Sequence, residues 1–254
     1  MNPESMQKFL SLMKHYRHAV AVVRHAPYVL QPLIDQCEGD ESVALARNYA
    51  ELEHPGRFVL TKQGVFTTWQ QGELISATDL AIHRVNYSQQ GRGTETGVRL
   101  AEGIAGVRKH WPECRDVKDL NYPVYEYEPC LAALRTLGGL AMVSAWMNGQ
   151  VTPQLIRDES PSSFRRRVLG RVDDALIETQ QSLGDVIGLT IEVTHSELCM
   201  VISEELIYHH RPGSYSMEEK RFPKYNHGIL VVREDDGALR GFPFNERWEI
   251  LKPD

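Results

Sequence analysis

Two arginines and two histidines of this 254-residue chain stand where phosphate chemistry would want them. Arg24 and His25 close the short apolar run AVAVV, Arg92 lies just past a second strand candidate, and His195 directly follows the run VIGLTIEV. A guanidinium is planar, always charged, and presents paired N–H donors that match the oxygens of a phosphate dianion. A neutral imidazole nitrogen is a competent nucleophile near neutral pH and can carry a covalent phosphoryl group. A second imidazole can donate to an equatorial oxygen as charge develops on the transferring group. An alcohol leaving group then needs a proton, which a nearby carboxyl can supply. Together these residue types read as phosphoryl-transfer chemistry.

The elements around them must bring the four side chains together. AVAVV is short and Val-rich, which predicts a buried strand rather than a helix. The stretch LIDQCEGDESVALARNYAELE reads as partly helical. Thr61 is placed to cap a helix carrying Val65, Phe66, Trp69 and Leu74. Leu80-Ala81-Ile82 leads a strand through Val85 to Tyr87, and Val98, Ala101, Ile104 and Ala105 then fall at helical spacing. Ser160-Pro161 opens a helix whose apolar stripe is Phe164, Val168, Val172 and Leu176, with Gly184 ending it. VIGLTIEV predicts another strand, with a helix starting near Ser196. GILVV and the segment Leu239 to Phe242 read as two late strands around the turn Asp235-Asp236-Gly237.

Strands alternating with helices predict an α/β chain: a three-layer α/β/α sandwich on a mostly parallel central sheet. Residues 108–158, with Tyr122, Tyr125, Tyr127, several prolines and Gly138-Gly139, read as a helical or loop insertion over the active site, inside one domain spanning 1–254. Ligands of such sheets gather beyond the carboxyl ends of the strands, where Arg24, His25, Arg92 and His195 all fall. The tripeptide Arg-His-Ala occurs twice, at 17–19 and 24–26. The first copy precedes the apolar run, so it belongs at the opposite end of the strand.

Several segments resemble the histidine phosphatase superfamily, in the phosphoglycerate mutase and broad-specificity phosphatase branch. AVAVVRHA is similar to its opening Arg-His-Gly signature, LTKQG (60–64) to the Leu-Thr-x-x-Gly of its first helix, and YSQQGRGTET (87–96) to the segment with the second phosphate-binding arginine. DESPSSFRRRV (158–168) resembles its Glu-Ser element and following helix, VTHSE (193–197) the stretch with the second histidine, and NHGILVV its late strand. The resemblance implies that His25 is phosphorylated and that Arg24, Arg92 and His195, with the adjoining Ser196, form the phosphate pocket. It also implies a general acid: Asp119 in DLNYP fits best, Glu126 in VYEYE is second, and Glu197, just after the second histidine, is a third candidate. Ala26 and Ser196 replace the usual glycines, Pro123 replaces a glycine near the proposed acid, and Pro27-Tyr28 replaces the polar residues with which mutases grip substrate. The loop between His25 and Leu60 is also longer than in compact members. The expected activity is a phosphomonoester hydrolase; a mutase, or a phospholigand-binding member without turnover, are the alternatives.

The net charge of -6 disfavours a nucleic acid partner. No apolar run reaches membrane-spanning length, and the N-terminal stretch is too polar for a signal peptide. Cys37, Cys114, Cys130 and Cys199 are scattered without a Cys-x-x-Cys pair, which fits a cytoplasmic protein without a zinc site. His209-His210 reads as a surface pair rather than metal ligands, since adjacent side chains on a helix diverge. Lys220, Arg221 and Lys224 read as a solvated loop. No metal or organic cofactor is expected. The expected partner is a phosphorylated small molecule or a phosphoprotein, and a homodimer remains open.

Overall fold

The computed structural model describes residues 6–30, 58–137, 139–157, 159–211, 213–216 and 223–252. The expected helix within LIDQCEGDESVALARNYAELE, Cys37, Lys220 and Arg221 lie outside them. The run around AVAVV forms strand β1 (His18–Arg24), central to a six-stranded sheet. The other strands of that sheet are β4 (Ala81–Tyr87), β5 (Glu113–Asp116), β6 (Gly188–Thr194), β7 (Gly228–Arg233) and β8 (Leu239–Phe244), in the order β5-β4-β6-β1-β7-β8. β5, β4, β6 and β1 run parallel, and β7 and β8 close the far edge antiparallel. A separate two-stranded ladder joins β2 (Tyr28–Leu30) to β3 (Phe58–Leu60).

Alternation along β1 explains the layering, because successive side chains point to opposite faces. Val20 and Val22 face one side, where they meet the helix from Pro161 to Leu183 through Phe164, Val168, Val172 and Leu176. Ala19, Ala21 and Val23 face the other, against Phe9, Met13, Ile75, Leu100, Ile104 and the late Trp248. The sandwich is therefore three-layered as expected. Helices α1 (Gln7–Tyr16), α2 (Lys62–Ser76) and α3 (Gly91–Arg108) cover one face; α6 (Pro161–Leu183) and α7 (Ser196–Leu206) cover the other. Fully burying one large aliphatic or aromatic side chain contributes about 1.5–3 kcal/mol, so these two layers supply the main stabilisation.

The expected punctuation is present. Thr61 Oγ1 accepts from Gly64 N at 2.9 Å, a cap worth about 1 kcal/mol. Ser160 caps α6 with Pro161 in its first turn, and Gly184 follows its end at φ 56°. The expected late strands form the β7–β8 hairpin. Besides β2 and β3, two elements were not anticipated. α1 buries Phe9 and Met13, one turn apart. β5 adds the first part of the 108–158 segment to the sheet edge. The rest of that segment, with α4 (Tyr127–Leu137) and α5 (Gly139–Met147), packs Tyr122, Tyr125, Cys130, Met142 and Trp146 into the layer of α6 and α7. One polar exception sits inside the sheet. Glu192 of β6 is completely buried and accepts from Arg171 Nη2 at 2.6 Å and Asn86 Nδ2 at 2.8 Å, so its charge is paired. Among the described residues, no helix is long and apolar enough to cross a membrane.

Candidate active site

The register of β1 against β6 places the two histidines side by side. Arg24 pairs with Thr194, and His25 N donates to Thr194 O at 2.9 Å. The chains therefore leave their strands at the same level, and the imidazole centroids lie 5.1 Å apart. β4 ends one strand further along, where Ser88 N donates to Val193 O, and α3 then carries Arg92 in its first turn. The first Arg-His-Ala copy sits at the other end: Arg17 follows α1, and its Nη2 donates to Asp185 O. The carboxyl-end rule thus separated the two copies correctly.

Each ring's tautomer follows from its hydrogen bonds. His25 Nδ1 lies 2.9 Å from Ala26 O, and a carbonyl can only accept. Nδ1 therefore carries the proton, and Nε2 keeps its lone pair. Arg92 Nε lies 3.3 Å from His195 Nδ1, and a guanidinium can only donate. In this arrangement His195 holds its proton on Nε2, 2.7 Å from Ser88 Oγ. Arg24 also acts on both rings through its charge. Its Nη1 donates to Pro223 O at 3.0 Å, and its Nε is buried with no hydrogen-bond partner among the described residues. Such an orphaned, charged N–H is suited to an anion. The N-termini of α3 and α7 begin beside Arg92 and His195, adding favourable dipoles for negative charge.

Two glycines are set by close approach. A Cβ on Gly64 would lie 2.5 Å from Pro27 O, pushing on the turn behind the nucleophile candidate. A Cβ on Gly93 would lie 2.1 Å from Ser88 Oγ, the hydroxyl that holds His195. Thr96 anchors the same turn, its Oγ1 accepting from Ala26 N at 3.0 Å while donating to Arg92 O at 2.7 Å. Ser88, Thr96 and Tyr225 were not anticipated. Ser88 had a usable signal, because it follows β4 at the same sheet edge as the others.

Burial keeps both imidazoles neutral. Desolvation, then the charges of Arg92, His195 and Arg24, hold His25 well below the usual histidine value of 6.5. Burial, then Arg92 and Arg24, hold His195 well below it too. In the unfolded chain both titrate near 6.5, so below that pH the unfolded state binds protons that the native state does not. Stability contributed by these groups is therefore full above about pH 6.5 and falls as the pH drops. Urea melts between roughly pH 7 and pH 5 are expected to show that decline, with a shallower slope in His25→Ala. An equal slope in the variant would contradict it.

The three carboxylate candidates are placed differently. Asp119 is exposed on a short turn; its backbone carbonyl accepts from Arg167 Nη1, and Thr194 Oγ1 ties the next carbonyl, Leu120 O, to β6. Glu126 pairs with Arg157 at 2.6 Å, and that bond lowers its pKa. Glu197 is 8% exposed, on the first turn of α7, accepting from Tyr125 Oη at 3.1 Å and Ser196 Oγ at 3.0 Å. Tyr125 stacks near Tyr122 (6.3 Å between centroids), and the Tyr122 ring meets His195 edge-on at 4.9 Å. Glu197 is thereby joined to His195 through a chain of contacts. Of the histidine pair further on, His210 bonds Glu204 at 2.5 Å.

No family model matches the chain, and no curated protein matches its sequence. Solved structures match it in shape. A phosphoglycerate mutase from Bacillus anthracis str. Sterne is 15% identical, covering 91% of this chain and 94% of that one, with a TM-score of 0.58. A mycobacterial glucosyl-3-phosphoglycerate phosphatase in complex with inorganic phosphate is 12% identical over 90% and 98%, with a TM-score of 0.57. A mutant phosphoserine phosphatase from Entamoeba histolytica in complex with phosphoserine is 12% identical over 91% and 98%, with a TM-score of 0.52. At these identities the likeness is one of fold, and the architecture implied by the resemblance to the histidine phosphatase superfamily is present. These three structural neighbours are two phosphatases and a mutase.

Proposed function

We propose that the protein is a phosphomonoester hydrolase that works through a phosphohistidine on His25. The observation that carries this reading is the His25 tautomer: its bond to Ala26 O leaves Nε2 with a lone pair, in a ring beside His195 and under the charges of Arg92 and Arg24. Arg24 and Arg92 hold the phosphoryl oxygens. His25 Nε2 attacks phosphorus, the bond from phosphorus to the leaving oxygen breaks, and that oxygen takes a proton from a carboxyl group. Water then attacks phosphorus, the P–N bond breaks, and the same carboxylate takes the water's proton. Most of the rate comes from positioning and charge stabilisation.

His195 can serve in this step because Ser88 is a hydroxyl, able to accept from Nε2 or donate to it. When Ser88 donates and Arg92 Nε turns its N–H from Nδ1 to a phosphoryl oxygen, the imidazole proton moves to Nδ1, where it can bond the phosphoryl group as well. Glu197 is the carboxyl group we assign to the proton, in preference to Asp119, because it is buried and linked through Tyr125 and Tyr122 to His195.

Release of inorganic phosphate from glycerol phosphate, followed with Glu197→Gln and Asp119→Asn, tests the proposal. Phosphate release by the parent protein, lowered about 10²–10⁴-fold in Glu197→Gln and much less in Asp119→Asn, is the expected result. Positional isomerisation without release would establish the mutase alternative instead. Binding with neither release nor labelling of His25 would establish a phospholigand-binding protein.

A further inference from the structure

Three tyrosines surround the charged groups, and their geometry says more than their number. Tyr28 lies 5.3 Å from the His25 imidazole at 66°, and Tyr225 lies 5.5 Å from it at 47°. The two tyrosine rings meet each other at 6.3 Å and 85°, forming a right-angled corner beside the nucleophile candidate. Arg24 sits over the Tyr225 ring at 4.3 Å; Arg92 sits over Tyr28 at 4.6 Å and Tyr122 at 5.3 Å. Guanidinium N–H groups lie in the plane of the group, so a ring on the face of Arg24 leaves its buried, unpartnered Nε along the edge to meet an oxygen. The aromatic walls therefore stand next to the phosphoryl position, where the first atoms of a leaving group must lie.

We infer that the site selects phosphomonoesters whose leaving group is an aromatic ring bonded directly to the bridging oxygen, such as a tyrosyl phosphate. This rests on the phosphatase reading above. An aromatic ring placed in the corner stacks on one tyrosine and meets the other edge-on, the two arrangements aromatic pairs favour. A polyhydroxyl or carboxylate leaving group would exchange its water for ring faces there. Tyr225, 37% exposed, forms the rim of the corner, so a ring still attached to a peptide can enter.

Leaving-group chemistry points the same way independently. A phenol has a pKa near 10, far below the roughly 15.7 of water that an aliphatic alcohol approaches, so it departs with less help from an acid. Asp119 is exposed, Glu126 is bound to Arg157, and Glu197 is engaged by Tyr125 and Ser196. An aryl ester asks least of any of them.

Binding separates this inference from turnover, because aryl esters are intrinsically more reactive. Calorimetry of the full chain with phenylphosphonate and propylphosphonate, whose P–C bonds cannot be hydrolysed, is expected to show at least about tenfold tighter binding of the aryl compound. In Tyr225→Leu, which keeps apolar bulk but removes the ring, the ratio is expected to fall toward one. Equal affinities in the parent protein, or a preference unchanged in Tyr225→Leu, would overturn the inference even if phosphate is released from every ester tried. An aryl preference in binding without turnover would uphold it and defeat the hydrolase reading. Calorimetry with free phosphotyrosine and with a phosphotyrosyl peptide, in the His25→Ala protein so that neither is turned over, then identifies the source, the aryl class standing if either binds more tightly than its phosphoserine counterpart. Preference for phosphoserine in both forms would overturn it.

Discussion

His25→Ala is expected to lower kcat/KM for phosphate release about ten-thousandfold or more, with the fold retained. The size follows from the role: without Nε2 no covalent intermediate forms, and what remains is the charge stabilisation of Arg24, Arg92 and His195. The fold should survive because His25 contributes one side-chain hydrogen bond, to the carbonyl of its neighbour Ala26, while the main-chain bond from His25 N to Thr194 O is kept. Loss of turnover with a near-parental urea midpoint at neutral pH is the expected pairing. A variant that retains a tenth or more of the activity would remove His25 from the chemistry.

The next largest effect is expected at Arg92. Arg92→Ala removes a donor to the developing charge in a buried site, which costs about 10²–10³-fold in kcat. Arg92→Lys should recover little of this, since an ammonium lacks the planar paired donors and cannot lie flat against Tyr28. A second readout distinguishes this role from simple damage. The Arg92 charge helps hold His25 and His195 below their usual pKa, so its removal lets both rise. The acid limb of the kcat/KM profile, where His25 becomes protonated and loses its nucleophilic lone pair, is expected to move to higher pH in Arg92→Ala. A lower rate with an unmoved acid limb would contradict the electrostatic part of the account.

The sheet and the four charged or imidazole groups were legible because they rest on local signals. AVAVV and VIGLTIEV are apolar runs too short for helices, and a parallel sheet puts whatever follows them at one edge. β5 was not legible: Glu113, Cys114, Arg115 and Asp116 show no apolar alternation, and the strand exists because β4 offers a free edge. The β2–β3 ladder joins residues far apart in the sequence, so nothing local announces the pairing. The acid stayed undecided for a related reason. Asp119, Glu126 and Glu197 look alike in a list of residues, and what separates them is tertiary: exposure for the first, Arg157 for the second, Tyr125 and Ser196 for the third. Tyr225 was invisible because it reaches the site from a turn before an antiparallel strand, whereas the carboxyl-end rule looks only beyond parallel ones.

The most direct test of the account is to catch the covalent step. The parent protein mixed rapidly with phenyl phosphate, quenched in base and digested, should yield the peptide containing His25 with one added phosphoryl group. That group should be lost in acid, as a phosphoramidate is, and be absent from His25→Ala. Steady release of phosphate with no phosphoryl group on His25 at any mixing time, or with the group on another residue, would contradict the account.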